Sequence, residues 1–134
     1  MYRQGVKTDV LVLFAFLYYL KLMKKENRLK LNKDFKRLYA RGKSTVYGCV
    51  VVYAMKNKHG DIRIGLTVGK GVGNAVKRNR AKRLLRVAAD EVMPQLISGY
   101  DLILVARNRI DGKKSGQVSY DLKKALKNLR LVED

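Results

Sequence analysis

The chain has 134 residues, 47% of them hydrophobic, and a formal net charge of +19 from 30 Lys+Arg against 11 Asp+Glu. That is one domain with enough apolar content for a packed core, and its charge excess opposes compaction while favouring a polyanionic partner, nucleic acid or an anionic membrane. One cysteine, Cys49, and one histidine, His59, exclude an internal disulfide framework, a His-pair ribonuclease mechanism and an ordinary Cys/His zinc site; a reducing cytoplasm is the compartment that fits.

The first segment is an apolar run of eleven residues, Val10 to Leu20. It is short of the roughly 20 residues a membrane span needs, and no small-residue cleavage site follows it. Three readings compete for residues 1–22: an export or membrane segment, an extra helix on the domain, or upstream sequence read in frame before a true start at Met23. "MKKENRLKLNKDF" reads as the natural beginning of a basic cytoplasmic protein, so the third is favoured and the domain is expected over 23–134.

"NKDFKRLYARG" predicts a short helix capped by Asn32 and closed by Gly42, with Phe35, Leu38 and Tyr39 on one face. "TVYGCVVVYAMK" is rich in β-branched and aromatic residues and predicts one long strand or two shorter ones. Strict alternation places Tyr47, Cys49, Val51, Tyr53 and Met55 on one face, and Val46, Val50, Val52 and Ala54 on the other. "NKHGD" is a turn. "IRIGLTVG" alternates Ile62, Ile64, Leu66 and Val68 inward against Arg63, Gly65, Thr67 and Gly69, and is expected to form a hairpin with the preceding strand.

Next comes "GNAVKRNRAKRLLR", a helix expected from about Ala75 to near Pro94 with Asn74 as its cap. Arg78, Lys82 and Arg86 recur at i, i+4, i+8 and form one ridge, with Asn79 and Arg83 beside it. The wheel places Val76, Leu84, Val87 and Ala88 on roughly the opposite side. Like charges at this spacing destabilise a helix by about 0.2–0.5 kcal/mol per pair, a cost that burial of the apolar face offsets and a polyanion reverses. Arg80 and Lys77 fall nearer the apolar side, where Arg80 is expected to bond the domain's own backbone or fill a groove. "GYDLILVARN" is a further strand and "IDGKKSGQ" a loop. "SYDLKKALKNLRLV" closes the chain as a helix capped by Ser119, with Leu122, Ala125, Leu126 and Leu129 as its stripe.

The chemistry-bearing residues are sparse. Asp34, Asp61, Asp90, Glu91, Asp101, Asp111 and Asp121 are scattered, and Asp90 and Glu91 diverge on a helix, so no two-metal clamp and no catalytic residue is expected. Phe35, Tyr39 and Tyr53 suit either core packing or a platform on which unpaired bases stack beside Lys and Arg. On these grounds a basic ribosomal or RNA-chaperone protein, a pure binder, stays open as the alternative to a subunit that serves an enzyme.

"GNAVKRNRAKRLLR" closely resembles the RNR signature of the bacterial ribonuclease P protein component family. The resemblance extends to "NRLKLNKDFKRLYARGK" and "RIGLTVGKGVGNAV" before it and "GYDLILVAR" after it, from about Asn27 to Leu129. It implies an α+β sandwich, a four-stranded sheet with packed helices in the order α-β-β-β-α-β-α and a left-handed βαβ crossover, where general rules favour a right-handed one. It implies that the protein binds a catalytic RNA and the 5′ leader of precursor tRNA, and that the ribonucleoprotein, an endoribonuclease, removes the leader. The RNA carries the chemistry with Mg²⁺, the protein binds no cofactor of its own, and neither a membrane nor a small-molecule substrate is a partner. On matching positions, Arg78, Asn79, Arg80, Lys82, Arg83 and Arg86 meet the catalytic RNA, while Phe35, Tyr39, Val51, Tyr53 and Thr67 line the leader cleft. Gly69 and Gly71 stand where many relatives have Ser and Lys, which implies weaker loop contacts with RNA.

Overall fold

The computed structural model describes residues 28–132; the expectations for residues 1–22 and for a start at Met23 lie outside them. The elements are α1 (Asn32–Arg41), β1 (Lys43–Tyr47), β2 (Val50–Lys56), β3 (Arg63–Val68), α2 (Ala75–Val92), β4 (Tyr100–Ala106) and α3 (Ser115–Asn128). This is the α+β order that the resemblance implies. The four strands form one sheet in the order β1-β2-β4-β3. β1 and β2 are antiparallel, β2 and β4 antiparallel, and β3 runs parallel to β4, so α2 is the crossover between two parallel neighbours.

The expected hairpin between β2 and β3 does not form, because β4 lies between them. β4 carries a continuous apolar run whose Leu102, Ile103 and Leu104 are at most 1% exposed. Such a strand needs cover on both faces and is unsuited to an edge. The turn after β2 is instead fastened across the start of β4. Asn57 Oδ1 accepts from His59 N and Gly60 N, its Nδ2 donates to Asp61 O and to Asp101 Oδ1, and its backbone N donates to Gly99 O.

The first strand segment breaks at Gly48, whose φ of +55° suits glycine. A Cβ there would collide with the Asp121 carboxyl of α3. That carboxyl accepts from Cys49 N at 3.0 Å, and Arg107 donates to Gly48 O at 2.7 Å. The break inverts the alternation before it. Val46 pairs with Val51 and Tyr47 with Val50, so Tyr47 and Cys49 join the Val50 face and Val46 joins the Val51 face, contrary to strict alternation through the segment.

The two sheet faces are covered unequally. Val50, Val52, Ala54, Ile64, Leu102, Leu104 and Ala106 pack with Ala81, Leu85, Ala88, Ala89 and Val92 of α2 and Val118, Leu122, Ala125 and Leu126 of α3. On the other face, among the described residues, α1 is the one helix that packs, and Leu38 and Ile103 are fully enclosed there with Leu29. Burying a leucine contributes about 1.5–3 kcal/mol, so Leu38 alone is a substantial part of what holds α1 down. The chain before α1 runs along the outer edge of β3, with Leu29 N donating to Ile64 O.

Two helix starts differ from expectation, while Gly42 closes α1 where expected but for a different reason. Asn32 is the first residue of α1 rather than its cap: Leu31 occupies the cap position and makes no side-chain bond. Gly42 ends α1 by close approach, since a Cβ would stand 2.6 Å from Leu38 O and 3.1 Å from Ala54 O. α3 begins five residues early, at Ser115, where Lys114 N donates to Gln117 Oε1; Ser119 lies inside the helix with its Oγ enclosed, and Leu129 follows the last helical residue. The Asn74 cap is as expected, with Oδ1 accepting from Lys77 N at 3.0 Å.

Candidate nucleic-acid interface

Sheet register builds the cleft. On the α1 face one row runs Ser44, Tyr53, Ile103, Gly65 and the next runs Val46, Val51, Val105, Thr67. α1 covers the first row and leaves the second open. Tyr39 marks the boundary. Its ring meets Tyr53 edge-on at 4.8 Å and 82°, and its hydroxyl lies 3.2 Å from Thr67 Oγ1. Tyr39 is 42% exposed, and Val51, Tyr53, Val105 and Thr67 are half-buried. The result is a shallow apolar floor with an aromatic wall and hydroxyls at one side.

Phe35 does not share that floor. It lies over Gly65, where a Cβ would stand 2.5 Å from the ring's Cζ, so glycine is required there for close approach rather than for a special backbone angle. Phe35 faces a separate hollow of 170 Å³ at the β3 edge, whose lining includes Arg28, Lys82 and Arg86. It therefore stands between the cleft helix and the basic ridge. Arg28 was not singled out in the sequence; its parallel bridge to Ile64 brings it there. Val105 was also missed as a floor residue, although the alternation of β4 places it on one face with Ile103.

On α2 the ridge is graded. Lys82, Arg83, Arg86 and Asn79 are exposed and line one shallow groove with Val76. Arg78 is half-buried, with Nε enclosed and unpartnered among the described residues. Arg80 turns inward, and its Nη2 donates to Lys113 O at 2.6 Å, so it braces the helix on the loop before α3. Lys77 pairs with Asp111 at 3.1 Å. The apolar side of α2 is rotated from the expected one. Ala81, Leu85, Ala88, Ala89 and Val92 are buried and Leu84 is half-buried, while Val76 and Val87 are 75% and 44% exposed. Small alanines face the sheet and admit close helix approach; Val76 and Val87 stay on the basic side.

Beside the cleft, on the same sheet face under the start of α1, sits a polar cluster that the sequence did not single out. Asp101 is 0% and Asp34 5% exposed. Arg63 donates to both Asp101 oxygens at 2.7 and 2.9 Å, and its Nη1 lies 3.9 Å from Asp34. Arg37 donates to Asp34 at 3.2 Å. Burial pushes the Asp101 carboxyl up, but the hydrogen bonds from Arg63 and Asn57 and the Arg63 charge outweigh it, and its pKa lies below the ordinary value. This cluster ties the start of α1 to β3 and β4, and so sets the position of Phe35 and Tyr39.

Among the described residues no three His, Cys, Asp or Glu side chains come together. The buried carboxylates are engaged by Arg63, Arg37 and Asn57, so this donor set does not fit a protein-held metal. Cys49 is buried, its thiol pushed up to about 12 by burial and then by the hydrogen bond with Asp121. Among the described residues no helix is long and apolar enough to cross a membrane.

A family model described as Ribonuclease P matches residues 23–130. The chain is 41% identical over 106 residues to the ribonuclease P protein component of Bacillus cereus (strain AH187), covering 78% of this chain and 88% of that protein. It is 42% identical over 109 residues to that of Bacillus velezensis, covering 80% and 89%. Among solved structures it is similar to a Staphylococcus aureus RNase P protein mutant with defective mRNA degradation activity, with a TM-score of 0.75, 34% identity, and 86% and 98% of the two chains covered. An RNase P protein from Thermotoga maritima in complex with a thiourea compound gives a TM-score of 0.69, 28% identity, and 75% and 97% coverage.

Proposed function

Since this chain belongs to the ribonuclease P protein family, we propose that it is the protein subunit of a cytoplasmic ribonucleoprotein that removes the 5′ leader of precursor tRNA. The domain doing this is 23–134. Arg78, Asn79, Lys82, Arg83 and Arg86 meet the catalytic RNA, and Arg80 holds their helix in place. Tyr39, Val51, Tyr53 and Thr67 grip the unpaired leader, and Phe35 joins the two surfaces. The observation that carries this reading is the half-open sheet face beside exposed cations of α2. Stacking on aromatic rings is tolerant of base identity, so the leader is held with little sequence preference. The cations lower repulsion between two RNAs, which favours substrate and Mg²⁺ binding by the RNA, where the chemistry resides. About six phosphate contacts correspond to roughly a thousandfold loss of affinity between 50 and 200 mM salt on the duplex scale, less on single strands.

The test is precursor-tRNA cleavage at low millimolar Mg²⁺. Four samples are compared: catalytic RNA alone, RNA with this protein, RNA with the Arg83→Ala/Arg86→Ala protein, and protein without RNA. The proposal expects leader removal to be restored by intact protein with RNA and weakened by the double variant. Cleavage by protein alone moves the chemistry into this chain. No stimulation by the protein brings forward the ribosomal or chaperone reading.

A further inference from the structure

The half-open cleft and the α2 ridge do not account for a second basic hollow. It has a volume of 420 Å³ and lies where α3 ends, lined by Arg41, Lys43, Lys56, Tyr100, Leu129 and Leu131 among others. That volume falls in the range of small-molecule sites, about 300–1,000 Å³. Lys43 is paired with Ala54 and Lys56 with Tyr100, and Ala54 belongs to the α2–α3 core. The two lysines and Tyr100 therefore stand on the sheet face opposite the cleft. Along β2, Lys56 is five residues from Val51, about 17 Å.

Three cations converge here, and among the described residues no carboxylate is in the lining. Arg41, Lys43 and Lys56 are exposed, and among the described residues none of them is in an ion pair. Holding three like charges around one hollow costs stability unless an anion joins them. The floor is apolar and partly aromatic: Tyr100 and Leu129 are half-buried against the core, and Leu131 is buried. A phosphate alone would use the rim and ignore the floor; an apolar ligand would use the floor and ignore the rim. An unpaired nucleotide uses both.

We propose that this hollow is a second RNA site, in which Arg41, Lys43 and Lys56 hold the phosphate of one unpaired nucleotide and its base lies against Tyr100, Leu129 and Leu131. The choice of RNA as occupant rests on the proposed function. The hollow opens at the far end of β2, mostly on the α2–α3 side with Arg41 and Met55 reaching it from the α1 side, so it takes a different RNA segment from the one in the cleft. The protein then bridges two RNA segments across its sheet.

The test is amide chemical-shift titration of the full chain with adenosine 5′-monophosphate, adenosine, inorganic phosphate, a short oligoadenylate and a poly-glutamate peptide at matched ionic strength. Lys43, Lys56 and Tyr100 report on the hollow; Val51, Tyr53 and Thr67 report on the cleft. The monophosphate and the oligoadenylate are expected to move the hollow set, with phosphate alone weaker by about fivefold or more. Lys43→Ala/Lys56→Ala is expected to abolish the movement, to leave the cleft set unchanged and to lower the salt slope by about 0.7, the single-strand value for one phosphate. These lysines are exposed, so the variant keeps its fold, which the spectrum itself checks; Tyr100→Leu then weakens the monophosphate and spares phosphate. The proposal is overturned if the hollow set is still, if phosphate or poly-glutamate matches the nucleotides, or if the double variant binds as before. A cleft set that moves in those cases leaves the proposed function standing, whereas a still cleft set counts against that function and not against this site.

Discussion

Replacing Arg63 tests the buried cluster beside the cleft. Arg63→Leu leaves Asp101, which is 0% exposed, with Asn57 Nδ2 at 2.9 Å in place of a two-pronged guanidinium. Removing one partner of a buried pair costs about 3–5 kcal/mol, a large part of the roughly 5–15 kcal/mol that holds a domain together. Asp101→Asn should cost less, about 1–3 kcal/mol, because Arg63 keeps 20% side-chain exposure and has Asp34 at 3.9 Å. The pH dependence discriminates further. In the native chain the Asp101 pKa is lowered, so its contribution is present above the unfolded value near 3.8 and is lost as pH falls through the lower folded value. In Arg63→Leu the burial effect is largely unopposed and the folded pKa rises. The carboxyl is then best tolerated when neutral, below the unfolded pKa, and stability is lost as pH rises through the folded one. The gap between native and variant should therefore narrow from pH 7 to pH 4. Urea unfolding followed by circular dichroism at fixed ionic strength measures it. A variant no worse than Asp101→Asn, or a gap that widens on acidification, refutes the reasoning.

Three further outcomes follow from the same geometry. Arg80→Ala should lower stability by about 1.5–3 kcal/mol through loss of its charged bond to Lys113 O. Arg83→Ala should stay within about 0.5 kcal/mol while weakening RNA binding, and thermal melts with a filter-binding assay separate the two. Cys49, its thiol at about 12, should resist iodoacetamide at pH 8 in the folded chain and react on denaturation, so fast native alkylation would contradict its placement. On α2, Val76→Ser should fall within about 0.5 kcal/mol and Leu85→Ala cost about 2–5 kcal/mol; denaturant midpoints showing the reverse would restore the face expected from the wheel.

Local patterns carried far, and failed where tertiary structure chose between local options. Alternation placed Thr67, Val51 and Tyr53 on their faces, because a period of two survives wherever a strand is continuous. It failed across Gly48, where a left-handed residue held by Asp121 and Arg107 reversed the faces. The hairpin failed because adjacency in sequence said nothing of β4, whose unbroken apolar run was the available signal for a central position. The wheel on α2 found the basic ridge and misplaced its valines, since alanines are weak on hydrophobicity but strong in close packing. Asn32 and Ser119 were sound cap types at positions where the chain used Leu31 and Lys114 instead. Arg63, Asp34 and Asp101 were invisible as a unit because they come from three elements.

The unequal cover of the sheet explains how a chain of net charge +19 stays folded with one sheet face half open among the described residues. The α2–α3 face holds nearly all of the enclosed apolar residues, so stability does not depend on sealing the opposite face. α1 closes only one row there, and it is fastened by Leu38 and by the Asp34–Arg63–Asp101 cluster rather than by broad burial. The uncovered row is faced by tyrosines, whose rings are apolar and whose hydroxyls stay wet. Such a face is tolerable in water without a covering element. The basic residues that cannot join the core are displaced to its margins, on α2 beside β3 and at the sheet end beside Tyr100, and both margins then offer the charge that a polyanion requires.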